Sequence, residues 1–428
     1  PLMTVSSIFS QMLQLIPRPE FARIVANRKG ERHARGFTCW GQTVAMLFCH
    51  LGQAKSLREI SEGLQASEGK LRHLGLTEAP GHSTLAYANA HRPWEIYQDL
   101  FQFLLTRLQG ELGVQGKSAR QFSLPGKLLS LDSTLIDLCA KVFDWAKYKQ
   151  TKGAVKVHLL LDHDGCLPQF AVITDGKTSD IETARSLTFA SGTMLVMDRG
   201  YNDYEWFSDL GQQGVWFVTR LKDDASFVTV EARPADGGAV RSDEVISFTT
   251  HARQERNVYF RRITFWDSEN EREFVFLTNH LDLPAATIAE LYRQRWQIEQ
   301  FFRLLKQNLR VKTFVGTSAN ALKIQIWTAL IALLLVKFLQ LRSKFSWHLS
   351  RLMALLRQQI FVYRCLWRFL DHPLEPPPAQ LAPLPLFDHL PAESGQQIAS
   401  ASTQPQLGAH VSTAVSPMLP TPIPHPIG

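Results

Sequence analysis

The sequence has few cysteines, and none of them is spaced for a disulfide framework or a zinc site. Its 428 residues include five cysteines, scattered along the chain at positions 39, 49, 139, 166 and 365. No two of them form a Cys-x-x-Cys pair, and the histidines show no zinc-ligand spacing. Such scattered cysteines are typical of proteins from a reducing compartment.

Long hydrophobic runs are also scarce. The most apolar run, at residues 326–336, is shorter than a bilayer-spanning helix and is followed by Lys337, so we expect a buried core helix there. The start of the chain lacks a basic segment followed by a long apolar run, and we therefore expect no signal peptide. Together these features favour a cytoplasmic protein without a membrane partner.

Lysine and arginine are missing from the last part of the chain. Residues 371–428 contain neither, carry four acidic residues and are rich in proline. A segment of this composition buries too little apolar surface to offset the entropy that it loses on ordering. We therefore expect residues 371–428 to be a disordered tail.

The whole chain has a net charge of +7. This charge is distributed unevenly over the residues before the tail. Residues 1–125 hold 14 basic and 9 acidic residues, and residues 288–370 hold 14 basic and only 2 acidic ones. Between them, residues 126–287 hold 18 basic and 24 acidic residues. An acidic middle between two basic flanks fits a metal site bordered by surfaces for a polyanion. The alternative is an ordinary basic protein with uneven charge.

The pattern of elements predicts an α/β protein. Residues 1–125 show short amphipathic helices, which we interpret as an all-α N-terminal DNA-binding domain, either a helix-turn-helix module or a plain helical bundle. Residues 126–224 read as a mixed sheet with flanking helices. A β-rich insertion at 225–283 and a second helical part of the core at 284–370 follow.

One segment near residue 300 combines an acid, two bases and a phenol at helical spacing. On a single helix, these four side chains share an arc about 60° wide beside an apolar stripe. The four are Tyr292, Arg295, Glu299 and Lys306. The stripe consists of Leu291, Ile298, Phe302, Leu305 and Leu309. A carboxylate flanked by cations at the edge of a buried stripe suits the chemistry of phosphates and metal ions. The alternative is a solvated helix face with one ion pair between Arg295 and Glu299.

Two aspartates lie where strands supply residues to a cleft. Asp132 is inside the apolar run LLSLDSTLI, and Asp198 ends the run MLVM. A buried carboxylate is unfavourable unless it is paired or binds a metal, and each aspartate alone fits a satisfied core position. Together with Glu299, however, they can converge on one point. Oxygen-rich sites of that kind bind Mg²⁺ or Mn²⁺, and two such ions about 3.5–4 Å apart can promote in-line phosphoryl transfer.

At these residues the sequence resembles the DDE transposases, which have an RNase H-like core. Asp132, Asp198 and Glu299 are similar to the acidic triad of that family. The Tyr-x2-Arg-x3-Glu-x6-Lys spacing from Tyr292 to Lys306 matches the signature of the insertion-sequence 4 family without a gap. The resemblance covers about residues 20–370. Further matching segments are LDST around Asp132, TDG at 174–176, DRGY at 198–201, GTSANALKIQIWTALIALL at 316–334 and HSTLAYANAHRP at 82–93.

The resemblance implies an RNase H-like mixed sheet and a role for each acidic residue. Asp132, Asp198 and Glu299 would be catalytic and would hold Mg²⁺ or Mn²⁺, with two ions expected. The implied activity is cut-and-paste DNA transposition, in which the enzyme cleaves DNA at the element ends and joins the released 3′-hydroxyls to target DNA.

The resemblance also implies contacts with double-stranded DNA. Tyr292, Arg295 and Lys306 would contact phosphates near the cleaved strand. The DNA would be the terminal inverted repeats of the element and the target, and the synaptic complex would contain at least a homodimer. The protein would be bacterial, cytoplasmic and associated with the nucleoid.

Some relatives hold a flipped base with a tryptophan in the insertion. Trp266 is the candidate by region, and Trp216 is the weaker one, although most tryptophans are core residues. Two other functions also fit the sequence. One is an RNase H-like nuclease that does not join strands, and the other is a co-opted DNA-binding protein without catalysis.

Overall fold

The computed structural model describes residues 6–375 with a few gaps. The gaps are residues 33, 35, 68, 116–121, 123, 140–146, 150–151, 236–237, 250–257 and 310–313. The predicted disordered tail therefore lies almost wholly outside the described residues, as does part of the β-rich insertion.

The N-terminal part is helical where it is described, as predicted. Side chains of Ser7, Thr38 and Ser56 cap three of its helices by accepting a backbone N–H bond from the residue three positions later. Helix α3 is buried along almost its whole length. The helices are α1 (Ile8–Leu13), α2 (Arg18–Asn27), α3 (Cys39–Gly52), α4 (Leu57–Gln65), α5 (His82–His91) and α6 (Glu95–Gln115).

A single mixed sheet of ten described strands follows. Two helices, α7 (Asp180–Arg185) and α8 (Tyr204–Gln212), connect its parallel strands. The ten strands are β1 (Leu128–Cys139), β2 (Lys147–Lys149), β3 (Lys152–Asp162), β4 (Leu167–Asp175), β5 (Met194–Met197), β6 (Trp216–Arg220), β7 (Phe227–Arg233), β8 (Val240–Phe248), β9 (Phe260–Asp267) and β10 (Arg272–Thr278).

The first part of this sheet has the RNase H-like strand arrangement. Strand β3 pairs antiparallel with both β4 and β1, and β1, β5 and β6 then pair parallel to one another. The order β4-β3-β1-β5-β6 thus joins an antiparallel meander to two parallel strands reached through helical crossovers. The predicted RNase H-like fold class is confirmed.

The strands of the insertion extend this same sheet. Strand β10 pairs antiparallel with β6, placing Phe276 opposite Arg220, and β9, β8 and β7 follow outward. The β-rich segment therefore prolongs the core sheet beyond β6. The chain runs outward first and comes back to the edge of the core at β10. That strand immediately precedes the helix pair whose second helix carries Glu299.

The C-terminal helices follow the sheet, and the first three of them contact one of its faces. They are α9 (Ala285–Arg293), α10 (Trp296–Leu309), α11 (Ala319–Arg342), α12 (Leu349–Gln359) and α13 (Leu366–Asp371). The side chains of Leu291, Ile298, Phe302 and Leu305 are buried as predicted, while that of Leu309 lies outside the described residues. Helices α7 and α8 pack on the opposite face.

Helix α11 is the core helix predicted from the apolar run at 326–336. It has 24 residues, longer than that run, and by length and composition alone it could cross a membrane. However, 83% of its most apolar window is buried inside the protein, against α3, α5, α6, α10 and α12. The N-terminal helices and α10 therefore share one hydrophobic cluster that is centred on α11.

Gly126 sets how closely β1 approaches β5. A Cβ atom at this position would lie 2.2 Å from the carbonyl oxygen of Gly192, which precedes β5. Because that neighbour is backbone, the two strands would have to move apart. The strand approach that brings Asp132 beside Asp198 thus depends on this glycine.

We expect Gly126→Ala to destabilise the protein by about 1–3 kcal/mol, the usual effect of overpacking. Urea unfolding followed by fluorescence measures the change. Gly110→Ala is the matched control, since Gly110 is an exposed residue of helix α6 where a Cβ would meet no atom within 4 Å, and helix propensity favours alanine. Equal unfolding free energies for the two variants would show that the contact with Gly192 is unimportant.

Candidate active site

Asp132 and Asp198 are neighbours across two parallel strands. The last paired residues of β1 and β5 are Leu131 and Met197, so the next residue on each strand is an aspartate. Parallel neighbours in register point to the same face of a sheet. Each carboxylate accepts one backbone N–H bond from its following residue, Ser133 at 2.8 Å and Arg199 at 2.7 Å.

Asp132 and Asp198 form a row across neighbouring strands, and Arg220 continues that row on β6. Sequence reasoning missed Arg220. Strand β6 pairs with β5 so that Val218 lies beside Val196, which puts Arg220 beside Asp198. An Nη atom of Arg220 donates to Oδ1 of Asp198 at 2.9 Å. Only the strand register relates Arg220 to the acidic residues, and no spacing within the sequence encodes that register.

Glu299 reaches the row from a helix pair and not from one continuous helix. The predicted single helix over Tyr292–Lys306 is wrong: α9 ends at Arg293, and α10 begins at Trp296. Between them the N–H of Arg295 bonds to the carbonyl of Tyr292 at 3.0 Å, a tight i,i+3 turn. Glu299 consequently sits in the first turn of α10, where the helix dipole favours an acid.

Arg295 links two of the three acidic residues. One Nη atom of its guanidinium lies 3.4 Å from Oδ2 of Asp132, and the other donates to Oε1 of Glu299. The side chain is 15% exposed, against 19% for Asp132 and 34% for Glu299. The structure therefore brings Asp132, Asp198 and Glu299 into one neighbourhood, called the acidic row below. Two arginines, Arg220 and Arg295, are the direct partners of these acids.

The electrostatics of these acids are governed first by burial. Burial raises the pKa of Asp132 to about 6; the Ser133 N–H and Arg295 lower it, and the charges of Asp198 and Glu299 raise it by smaller amounts. Burial alone would also raise the pKa of Asp198. Its bonds to Arg220 and to the Arg199 N–H outweigh burial, so the pKa of Asp198 lies below its ordinary value.

Tyr292 is buried close to the acids, whereas Lys306 is exposed and further away. The Tyr292 ring is buried against Phe276, with ring centroids 5.0 Å apart, and burial raises the pKa of its phenol. Its hydroxyl lies beside Arg295 without a normal hydrogen-bond partner among the described residues. Lys306 is exposed on α10, two helical turns or about 10 Å beyond Glu299.

A cleft of about 680 Å³ opens beside Glu299 and does not include Trp266. Phe265 lines this cleft and precedes Trp266 on β9, so Trp266 points to the opposite face of the sheet. Its ring lies instead near Arg241. Trp216 lies at the far end of β6 from Arg220 and packs on His280. The aromatic side chains that do line the cleft are Phe265, Phe274, Phe276, Tyr292 and Trp296.

A buried polar network supports β1 from the other face. Ser133 Oγ donates to Asp180 at 2.6 Å, and Lys156 Nζ lies 3.2 Å from the same carboxylate. His158 bonds to Thr174 at 2.8 Å, and burial lowers the pKa of this imidazole to about 4. His158, which is neutral, and Asp180 therefore support the strands beneath Asp132.

We expect Asp132→Asn to stabilise the metal-free protein at neutral pH. The folded-state pKa of Asp132 is about 6, above its ordinary value of 3.8, so ionisation in the folded state is unfavourable. That penalty is full above pH 6 and disappears as pH falls towards 4. At roughly 1.4 kcal/mol per pKa unit, the amide should add about 1–3 kcal/mol at pH 7.5 and far less at pH 4.5.

Denaturant unfolding in EDTA at the two pH values measures this difference. Asp209→Asn, on the opposite face of the sheet, is the control variant for the loss of one carboxylate charge. Destabilisation by Asp132→Asn at pH 7.5 would contradict the prediction, because it would mean that the hydrogen bonds and the pair with Arg295 outweigh the cost of burying the charge.

Comparison with known proteins identifies the family of the sheet region and its helices. A family model described as a transposase DDE domain matches residues 124–335, which span the three acidic residues. A second family model, described as a domain of unknown function (DUF4372), matches residues 4–77. Residues 78–123, which include α5 and α6, separate the two matches.

Relatives with known names are transposases. One, named as transposase y4zB of Sinorhizobium fredii, is 30% identical over 68% of this chain and 79% of its own length. Another, named as a transposase for insertion sequence element IS5377 of Geobacillus stearothermophilus, is 28% identical over 78% of this chain and 85% of its own.

Among solved structures, a piggyBac transposase synaptic complex with hairpin DNA covers 83% of this chain and 78% of that one at 11% identity. The TM-score of 0.42 is too low to support an argument. The narrower assignment to the insertion-sequence 4 family stays a prediction. With a DDE domain over the acidic row and a relative matched over most of its length, this chain belongs to the DDE transposases of insertion sequences.

Proposed function

We propose that this transposase cleaves DNA at the ends of its element and joins the released ends to target DNA, as in cut-and-paste transposition. The observation that supports this most strongly is the register of β1 and β5, which makes Asp132 and Asp198 neighbours, with Glu299 linked to Asp132 through Arg295. Carboxylates beside a cleft that four arginines help to line suit phosphodiester chemistry.

DDE transposase domains generally depend on divalent metal ions. Asp132, Asp198 and Glu299 fit such an ion chemically, because their donor atoms are all oxygens and their charges crowd one another. In the described part of the chain no three acidic, His or Cys side chains are close enough to share an ion as they stand. We propose that these three residues hold Mg²⁺ or Mn²⁺, two ions in all, which would polarise the scissile phosphate and activate the attacking oxygen.

The proposed reaction has two steps at phosphorus. In the first, a water oxygen loses a proton and bonds to the phosphorus at the element end, the bond to the 3′-oxygen breaks, and that oxygen takes up a proton. In the second, the freed 3′-hydroxyl loses its proton and bonds to a target phosphorus, whose own 3′-oxygen leaves and takes up a proton. Both are in-line displacements, so the protein has mainly to orient the strand and stabilise negative charge.

Three cationic or hydroxyl groups would orient the strand. Arg295 and Tyr292 lie at the acidic row, so they suit the scissile phosphate and its neighbour. Lys306, about 10 Å along α10 and exposed, suits a phosphate further along the same strand. The strand would therefore cross the site along the axis of α10, from Arg295 towards Lys306.

The remaining proposals concern the assembly. We propose that the N-terminal helices bind the inverted repeats that end the element, and that at least two copies of this chain hold the two ends in a synaptic complex. Such an enzyme would work on the bacterial nucleoid in the cytoplasm.

Strand joining tests the reaction. With pre-cut ends that carry the inverted repeats flanking the gene, Mg²⁺ and a supercoiled target plasmid, we expect joined products. Asp132→Asn, Asp198→Asn and Glu299→Gln should each lower joining at least about a hundredfold, since several kcal/mol of transition-state stabilisation is lost. Asp209→Asn should leave joining unchanged. Cleavage without joined products would favour a nuclease, and nicking that survives Asp132→Asn would exclude the proposed site.

DNA binding should weaken steeply with salt, because several phosphates must be neutralised. We expect affinity for a terminal-repeat duplex to fall at least tenfold between about 50 and 200 mM salt, and Lys306→Gln to reduce the slope of log affinity against log salt by about 1. Fluorescence anisotropy measures both. Lys177→Gln, in the acidic middle of the chain, is the control. A flat salt response would contradict phosphate binding by these cations.

A further inference from the structure

We infer that Arg220 is a further residue of the active site, and that Arg220 and Arg295 are counter-ions which leave the acidic row for DNA phosphates when DNA binds. This inference rests on the proposed function. Its consequence is that DNA and divalent cations each increase the affinity of the protein for the other.

The first support is the pairing itself. Arg220 bonds to Asp198 at 2.9 Å, and Arg295 bonds to Glu299 and lies 3.4 Å from Asp132. Every acid of the row therefore has a guanidinium partner in the DNA-free protein. Two cations offset most of three negative charges, so a divalent cation that approaches the carboxylates meets the positive charge of both arginines.

The second support is that both guanidiniums have unused donors. A guanidinium carries five N–H donors in a fixed fork. The Nε atoms of Arg220 and Arg295 are buried and have no hydrogen-bond partner among the described residues. Both side chains also line the cleft beside Glu299. A phosphate in that cleft would offer acceptor oxygens in the planar, bidentate geometry that arginine prefers.

The third support is the ring between them. The guanidinium carbons of Arg220 and Arg295 lie 5.9 and 5.7 Å from the centroid of the Tyr292 ring. A cation at that distance is attracted to the ring quadrupole without a fixed hydrogen-bond geometry. The ring can therefore keep both arginines in place while their polar partners change. Arg295 also lies in the turn between α9 and α10, outside either helix.

Linkage then gives the consequence. When phosphates take over the arginines, the carboxylates lose their competing partners and bind a cation more tightly. By reciprocity, a bound cation releases the arginines and increases DNA affinity by the same factor. A typical coupling changes affinity about 5–150-fold.

The test measures binding and not catalysis. Electron paramagnetic resonance of free Mn²⁺ gives the Mn²⁺ affinity of the full-length protein with and without a saturating terminal-repeat duplex, after correction for Mn²⁺ bound by the duplex alone. Anisotropy at constant ionic strength gives the reciprocal DNA affinity. For the wild type we expect each ligand to increase the affinity for the other about fivefold or more.

Arg220→Gln should bind Mn²⁺ more tightly than the wild type without DNA and should lose most of the coupling. Arg220→Lys, which keeps the charge, should retain part of it, and it also serves if the glutamine variant is unstable. Arg262→Gln is the matched control, because Arg262 pairs with Glu244 at 3.0 Å on the same sheet but on the other face.

Wild-type coupling below about twofold, or full coupling in Arg220→Gln, would overturn the inference. If both ligands bind independently and strands are still joined, the inference fails while the proposed function stands. If neither ligand binds, both fail.

A second inference comes from a separate surface, the groove of about 540 Å³ between α2 and α3. We propose that this groove, in the region that matches a family of unknown function, binds the phosphate backbone of duplex DNA. The guanidinium of Arg18 lies 3.7 Å above the Trp40 ring, and the indole N–H of Trp40 donates to the carbonyl of Leu74 at 2.8 Å. Gly75 leaves room for this stack, since a Cβ there would lie 3.2 Å from an Nη atom of Arg18.

The charges of the groove call for an anion. Arg18, Lys29 and Arg32 line it, and none of them contacts a carboxylate within the described part of the chain. Glu31, the one acid among the lining residues, accepts the N–H of Cys39 at 2.7 Å. Three cations, one of them stacked on Trp40, outnumber the single acid of the groove and have no carboxylate partner among the described residues. Such a surface complements a polyanion, and in a transposase that polyanion is DNA.

Salt dependence tests this groove as well. Arg18→Gln and Arg32→Gln should each lower duplex affinity and reduce the salt slope by about 1, with no effect on Mn²⁺ affinity. Arg23→Gln is the control, since Arg23 lies on the same helix but pairs with Glu20 at 2.8 Å. Equal effects of all three substitutions would overturn the site, because they would show diffuse charge. An unchanged slope in Arg18→Gln would do so too, even where strand joining persists.

Discussion

The parallel pairing of β1 with β5 is the constraint on which the site depends. It puts two carboxylates side by side in a partly buried position, which no local feature of either strand requires. Such a position is electrostatically unfavourable, and the raised pKa of Asp132 records it. The fold tolerates the row because hydrogen bonds from Arg220 and Arg295 offset part of the repulsion.

Much of the site follows from sequence, because its acids have local signatures. Asp132 interrupts an apolar strand, Asp198 ends one, and Glu299 sits beside a helical apolar stripe. Their roles as metal ligands stay predictions. Arg220 could not be found this way, because its relation to Asp198 exists only through strand register. The break at Gln294 and Arg295 was also hidden, because a tight i,i+3 turn barely disturbs helical periodicity.

The insertion shows a similar limit. Its strands were recognisable by alternation, but alternation does not tell which edge a strand pairs with. The pairing of β10 with β6 decides that Phe274, Phe276 and the cleft lie on the face of the acidic row. The same period-2 rule then places Trp266 on the other face. Trp266 was predicted only from the region in which it lies. Such a prediction could not tell on which face its side chain lies, because adjacent residues of a strand point to opposite faces.

The position of the N-terminal helices relative to the acidic row is also fixed by packing. Helix α10, which carries Glu299, packs on α11, and α11 packs in turn on α3, α5 and α6. Asn320 at the start of α11 donates to the carbonyls of Asn89 and Arg92, so the end of α5 is tied to the same helix. Because one apolar cluster joins these elements, a duplex bound along the N-terminal surface would meet the acidic row at a set distance. A rigid core of this kind, and not a flexible linker, would then define where a strand is cut relative to where it is held.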